Sequence, residues 1–117
     1  MLGAFESECG MCIVAEVNVS VPALRDLADR LMQRLSNGVV LLVSTMNGKS
    51  LALCKVSDPV SKTWPATDIL NVLTSKTGGG GGGKPTMAQA GGLASDRISD
   101  GIDVVIKKMK KNANVGH

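Results

Sequence analysis

Six consecutive glycines, residues 78–83, sit within the stretch TGGGGGGKPTMAQAGG at residues 77–92 and constrain the architecture more than any other feature. A run of this kind usually reads as a flexible linker. A linker, however, separates two self-sufficient domains. Only 34 residues follow Gly83, too few to build a sizeable core alone. The glycines therefore belong inside one domain. There, glycine means positive φ or a second surface approaching the backbone closely. Lys84, beside exposed amides, can then grip a phosphate or a carbonyl edge.

The run is not a Walker A loop. Gly78, Gly83 and Lys84 match that pattern as far as the lysine, but Pro85 takes the Ser/Thr position and leaves no hydroxyl for magnesium. The preceding segment also reads as helix rather than strand. Six glycines satisfy any glycine-rich pattern, so a dinucleotide fingerprint carries little weight here.

The 117-residue chain is composed like one globular domain, with 44% hydrophobic and 20% charged residues. Phe5 and Trp64 are its only aromatics. The core must be Val, Leu, Ile, Met and Ala, and modules that stack single-stranded bases on aromatic platforms are disfavoured. The net charge of +3 is unevenly placed. Residues 1–71 carry six basic and seven acidic side chains, and residues 72–117 carry seven basic and three acidic. A basic C-terminal half permits a polyanionic partner without demanding one.

No apolar run approaches the ~18 residues of a membrane span, so no membrane partner is expected. The opening MLGAFESECG has acids where a targeting peptide has bases. Three cysteines cannot all pair with one another, which suits a reducing compartment. The expectation is a cytoplasmic chain, with an organellar parent also compatible.

Periodicity gives the element order. CIVAEVNV at residues 12–19 reads as a strand. Ser20 caps a helix with Pro22 in its first turn, and Leu24, Leu27, Ala28, Leu31 and Leu35 follow at helical spacing. Gly38, after Asn37, is read as the C-cap. VVLLVSTM at 39–46 is a nearly continuous apolar strand suited to a sheet interior. Asn47-Gly48 then joins it to KSLALCKV at 49–56, a strong hairpin signal. A second helix spans roughly 66–75. PTMAQA is a strand or an extended segment. Ile98, Ile102, Val105, Ile106 and Met109 form the stripe of a last amphipathic helix. The order β-α-β-β-α-(β)-α predicts a small two-layer α/β fold in which helices cover one face of a mixed sheet, a single domain with its core at about residues 12–111.

Chemical signals outside the glycine run are weak. Cys9 and Cys12 form a lone C-x-x-C that precedes a strand, whereas a redox pair sits at a helix N-terminus. Four zinc ligands would have to include Cys54 and His117, one in a hairpin and one at the chain end. Neither a metal nor a redox role is expected. His117 is the only histidine, so no histidine-centred catalytic group can be built in the body of the domain. Asp96, Asp100 and Asp103 suit the start of a helix by favouring its macrodipole. Lys107, Lys108, Lys110 and Lys111 suit its end, or else supply auxiliary phosphate contacts.

GGGGGGKPTMAQAGG resembles the signature of the type 1 DHH-associated domain as it occurs at the C-terminus of alanyl-tRNA synthetases. That signature typically reads G-G-x-G-G-G-[KR]-x-x-M-A-Q-A-G-G. The glycines at 78–83, with Lys84, Met87, Ala88, Gln89, Ala90, Gly91 and Gly92, meet every named position. ALRDLADRLMQRL, NGVVLLVSTMNGKSLALCKVS and DILNVLTSKTGG look like the family's first helix, hairpin and second helix, so the resemblance covers residues 13–109. Related phosphoesterase domains usually end the loop with histidine; Lys84 favours the synthetase branch. Gly80 stands where the family often carries lysine or arginine.

The resemblance implies a non-catalytic domain that docks on the outer elbow of alanine tRNA, where the D and T loops meet, and helps link charging with editing. RNA-binding residues implied or suggested are Gly79, Gly80, Gly81, Gly82, Gly83, Lys84, Gln89, Gly91, Gly92, Lys107 and Lys108. ATP and zinc would belong to other parts of a parent synthetase, and this chain would hold no cofactor. Its partners would be tRNA, the parent's other domains and, in some members, a second copy. Two alternatives remain. One is a dimerisation or nucleic-acid interaction module with little tRNA affinity. The other is the substrate-binding domain of a DHH-type phosphoesterase.

Overall fold

The computed structural model describes residues 2–7, 10–35, 37–46 and 48–113, with side chains described at 11–35, 37–46 and 48–108. At its centre lies the expected hairpin. Strand β3 (Gly38–Met46) pairs antiparallel with β4 (Lys49–Val56), Met46 opposite Lys49. Gly48 turns the chain with φ 77°. Asn47 lies outside the described residues. A Cβ on Gly48 would meet nothing within 4 Å, so a side chain there is opposed by backbone conformation alone. Gly48→Val is expected to destabilise the protein by about 1 kcal/mol or more through left-handed strain. A denaturant melt within ~0.5 kcal/mol of the parent would refute that.

Strand β3 is buried on both faces. Val39, Leu41 and Val43 point into one apolar cluster, and Val40 and Leu42 into another. Each face therefore needs a cover, and the helices divide between them. β2 (Gly10–Val17) runs parallel to β3, and the crossover between them is α1 (Val21–Gln33). Leu24 and Ala28, four apart on one stripe of α1, bury against Val40, Leu42 and Leu53. On the opposite face, Ile69, Leu70 and Leu73 of α3 (Ala66–Thr77) and Ile98 and Val105 of α4 (Ile98–Ala113) pack on Leu41, Val43, Ala52 and Cys54. The mixed α/β class expected from sequence stands. The placement of all helices on one face does not, because α1 covers the other.

Two local expectations are also corrected. Ser20 is the N-cap of α1, but its side chain makes no capping bond; its carbonyl accepts from Leu24 N at 2.8 Å. The junction is fixed instead by buried Ser44, whose Oγ donates to Val19 O at 2.6 Å and accepts from Val19 N at 3.0 Å. Gly38 is not a C-cap. The helix ends at Arg34 in right-handed conformation. Gly38 opens β3, where a Cβ would collide with the Met11 carbonyl and with Leu35. Its small size admits the neighbouring strand.

Among the described residues the sheet has six strands, in the order β1-β2-β3-β4-β6-β5. Of the pairings between described residues, only β2–β3 is parallel. β1 (Leu2–Ser7) pairs antiparallel with β2 and was not expected. A short helix, α2 (Asp58–Ser61), follows β4. Cys12 and Cys54 are fully buried in the cluster beneath α3 and α4. Burial, and secondarily the neighbouring Cys12, pushes the Cys54 thiol far above the usual thiol range, so it behaves as a small hydrophobe. Cys9 and His117 lie outside the described residues.

Candidate nucleic-acid interface

The glycine run is an edge strand. Gly78 and Gly79, with φ 74° and 82°, turn the chain out of α3. β5 (Gly80–Lys84) then pairs antiparallel with β6 (Met87–Leu93) through a turn at Pro85 and Thr86. No helix or strand propensity in the glycines themselves accounts for this. The hairpin is tied down around them. Ala66 N donates to Pro85 O at 2.7 Å, Val56 N to Thr86 O at 2.8 Å, and Ala94 N to Thr77 O at 2.8 Å. These bonds fasten the turn to α3 and β4, and the base of the hairpin to the end of α3.

The five exposed residues of β5 alternate in role. A Cβ on Gly81 would stand 2.6 Å from Ala90 Cα, and one on Gly83 would stand 2.7 Å from Ala88 Cα. One on Gly79 would stand 2.9 Å from the Gly92 carbonyl carbon. Glycine at 79, 81 and 83 is what lets β5 approach β6. A Cβ on Gly80 or Gly82 would meet nothing within 4 Å. Glycine at 80 and 82 leaves bare backbone facing open space.

The register says which face the paired residues of β6 stand on. Directly paired residues share a face of a sheet. Gly80 pairs with Gly91, Gly82 with Gln89, and Lys84 with Met87. Gln89 in turn pairs with Leu53, and Met87 with Lys55. Leu53 packs beneath α1. Gln89 and Met87 therefore lie on the α1 side, with Lys84 paired beside them; at Gly80 and Gly82 the open direction is away from β6, because the Cβ positions of Gly81 and Gly83 aim into β6. Arg25 of α1 reaches Gln89 itself, with Nη2 donating to its Oε1 at 3.3 Å. On the other side, Gly81 and Gly82 line a small cavity of about 140 Å³ against Thr67, Asn71 and Thr74 of α3.

Of the residues suggested by sequence, Gly79, Gly80, Gly81, Gly82, Gly83, Lys84, Gln89, Gly91 and Gly92 all come together in this hairpin. Lys107 and Lys108 do not join them. They sit on α4, with α3 packed between α4 and the hairpin. Lys107 is engaged with Asp103 at 3.0 Å, and Lys108 borders a groove with Trp64 and Asp68. The side chains of Lys110 and Lys111 lie outside those described. Arg25 was not singled out by sequence, where it is one polar residue among several on the outer face of α1. Among the described residues, no group of three or more His, Cys, Asp or Glu side chains is placed to hold a metal. No described helix is long and apolar enough to cross a membrane.

The sequence profile of the DHHA1 domain matches residues 10–111, nearly the whole fold just described. The chain belongs to the DHHA1 domain family. This DHHA1 domain is 44% identical over 81 residues to the alanine–tRNA ligase of Natranaerobius thermophilus, covering 68% of the chain and 9% of that enzyme. It is 40% identical over 95 residues to the alanine–tRNA ligase of Oceanobacillus iheyensis, covering 80% of the chain and 11% of the enzyme. The chain thus spans about a tenth of the length of these relatives. Its structure superposes on the C-Ala domain of Aquifex aeolicus alanyl-tRNA synthetase with a TM-score of 0.82 and 26% identity, over 92% of this chain and 98% of that one.

Proposed function

We propose that this DHHA1 domain is the non-catalytic, tRNA-binding C-terminal module of an alanine–tRNA ligase. It docks on the outer elbow of alanine tRNA and helps couple aminoacylation with editing elsewhere in the parent. ATP and zinc chemistry belong to those other domains, which are its protein partners. The likeness to alanine–tRNA ligases and to the Aquifex C-Ala domain supports the parent enzyme.

The observation that carries the docking mode is the side-chain-free edge strand ending in Lys84. An elbow offers phosphates and a flat outermost base pair rather than splayed bases. Bare backbone at Gly80 and Gly82 can lie flat on such a surface, with outward amides and Lys84 donating to phosphate oxygens. The hairpin is held at its turn and base, so little ordering is required on binding.

The test is a matched pair of titrations. Intact alanine tRNA is expected to bind more tightly than an acceptor-stem minihelix, which lacks the elbow and engages only general electrostatics. Equal binding of both RNAs would sink the elbow reading. A second reading is favoured by the same exposed edge. β5 ends the sheet, and an edge strand without side chains can pair with a second copy. Sedimentation of the isolated chain as a dimer that binds no tRNA would favour that reading instead.

A further inference from the structure

We infer that the RNA lies on the α1 side of the hairpin, with Arg25 and Lys49 binding phosphate alongside Lys84, and that Lys107 and Lys108 fall outside its footprint. This rests on the tRNA-binding reading above and specifies which surface performs it. Three independent features of the molecule converge on that side.

The first is steric. The two glycines whose missing side chains leave open space, Gly80 and Gly82, pair with Gly91 and Gln89, and Gln89 stands on the face that α1 covers further in.

The second is charge. The α1 side carries Arg25, Arg30 and Arg34 on or at the end of the helix, with Lys49, Lys55 and Lys84 on strand positions facing it. Of its acids, Asp26 is engaged with Arg30 at 3.0 Å and Asp29 with Lys55, while the register places Glu6 on the same face at the far, β1 edge of the sheet. Arg25, Lys49 and Lys84 have no acid partner among the described residues. The α3/α4 side differs. There the seven bases Lys62, Lys76, Arg97, Lys107, Lys108, Lys110 and Lys111 are nearly balanced by the six acids Asp58, Asp68, Asp96, Asp100, Asp103 and Glu16. A polyanion is attracted more strongly to the first side than to the second.

The third is apolar exposure. Among the described residues, Val21, Met46 and Met87 are the exposed large hydrophobics, at 42%, 45% and 39%. Register puts Met46 and Met87 on the α1 side, and Val21 begins α1 itself. Val21 and Met46 rim a groove of about 380 Å³ that runs past Lys49 and Leu51 to Gly91 and Gly92. An apolar floor between cations suits a flat base-pair face with phosphates on either side.

The test compares salt dependence. The full 117-residue chain is titrated with intact tRNA at several salt concentrations, as the parent, as Arg25→Gln with Lys49→Gln, and as Lys107→Gln with Lys108→Gln. The first pair is expected to weaken binding and to lower the salt slope by about 0.7–0.9 for each phosphate no longer neutralised. The second pair is expected to leave the slope unchanged. Arg25→Lys keeps the charge and should retain the slope, which separates a phosphate contact from a role confined to orienting Gln89. All these positions are exposed, and circular dichroism melts should coincide with the parent. An unchanged slope for the first pair, or a lowered slope for the second, overturns the footprint while leaving tRNA binding itself standing. Loss of self-association, rather than of RNA affinity, in the first pair would assign this face to a second copy and overturn it too. A parent chain that binds no tRNA overturns the underlying reading and the footprint together.

Discussion

Gly82→Val should weaken tRNA binding by tenfold or more, about 1.4 kcal/mol, and keep its unfolding transition within ~0.5 kcal/mol of the parent. Gly81→Val, one residue earlier, should do the reverse of a clean binding variant. The difference arises from strand alternation. At Gly82 the side chain enters open space on the face proposed for RNA, and the backbone is outside the left-handed region. Branched carbons there would hold a flat base pair away from the amides. At Gly81 the first side-chain carbon already overlaps the Gln89 carbonyl and lies 2.6 Å from Ala90 Cα. Backbone cannot rotate aside as a side chain can. β5 must then detach from β6 or the pair must splay, at a cost of about 1–3 kcal/mol. If β5 peels away alone, the global melt records less than this. Hydrogen exchange at the β5 and β6 amides would still record the diminished protection. Equal stability of the two variants, with equal exchange protection, would contradict the alternation. A Gly82→Val protein that folds normally and binds tRNA like the parent would remove the glycine surface from the interface.

The same strand separates what a sequence can reveal from what it cannot. Asn47-Gly48 between two apolar runs identifies the β3–β4 hairpin because that turn depends on local dihedral preference. The continuous apolar run at 39–46 indicates a strand buried on both faces, and Val39 to Val43 are all buried. That each face is covered by helix is seen only in the two clusters on either side of it. The stripe of α1 shows which residues face inward but not which side of the sheet it packs on, so periodicity alone left every helix on one face. The strand at β5 has no local signal. Glycine has no β preference, and the pairing is set by Ala88 and Ala90 across the ladder and by backbone bonds from Ala66 and Val56. β1 is equally invisible, since its place depends on the exposed edge of β2. For the site, the motif locates the hairpin but not its open side. Arg25 and Lys49 are distant from the motif in sequence. Only the register of β4 with β6, and the reach of Arg25 to Gln89, bring them to it.

Replacing Lys84 should produce the other large drop in binding. Lys84 is exposed, closes β5 opposite Met87, and lies on the same side as Gly80 and Gly82. Its position is set by the turn after it. Pro85 fixes the backbone beyond it, and the Pro85 carbonyl is held by Ala66 N at 2.7 Å. The neighbouring Lys55 is engaged with Asp29, and no acid partners Lys84 among the described residues. Its ammonium is thus free to meet a phosphate without first breaking an internal ion pair. Lys84→Ala should cost about 1–3 kcal/mol of binding to intact tRNA if the hydrogen bond is charge-assisted and sheltered by the RNA. Lys84→Glu should cost more, because it sets a carboxylate against phosphate. Neither change should alter folding, since the side chain stands exposed at the sheet edge. Neither should alter the weak binding of an acceptor-stem minihelix by as much, because that RNA has no elbow to seat the hairpin. The same titration pair that tests the function reads both variants. Should Lys84→Glu bind intact tRNA as well as the parent does, phosphate recognition at the end of the glycine strand is wrong. The exposed edge would then be better explained as a surface for strand pairing with a second copy.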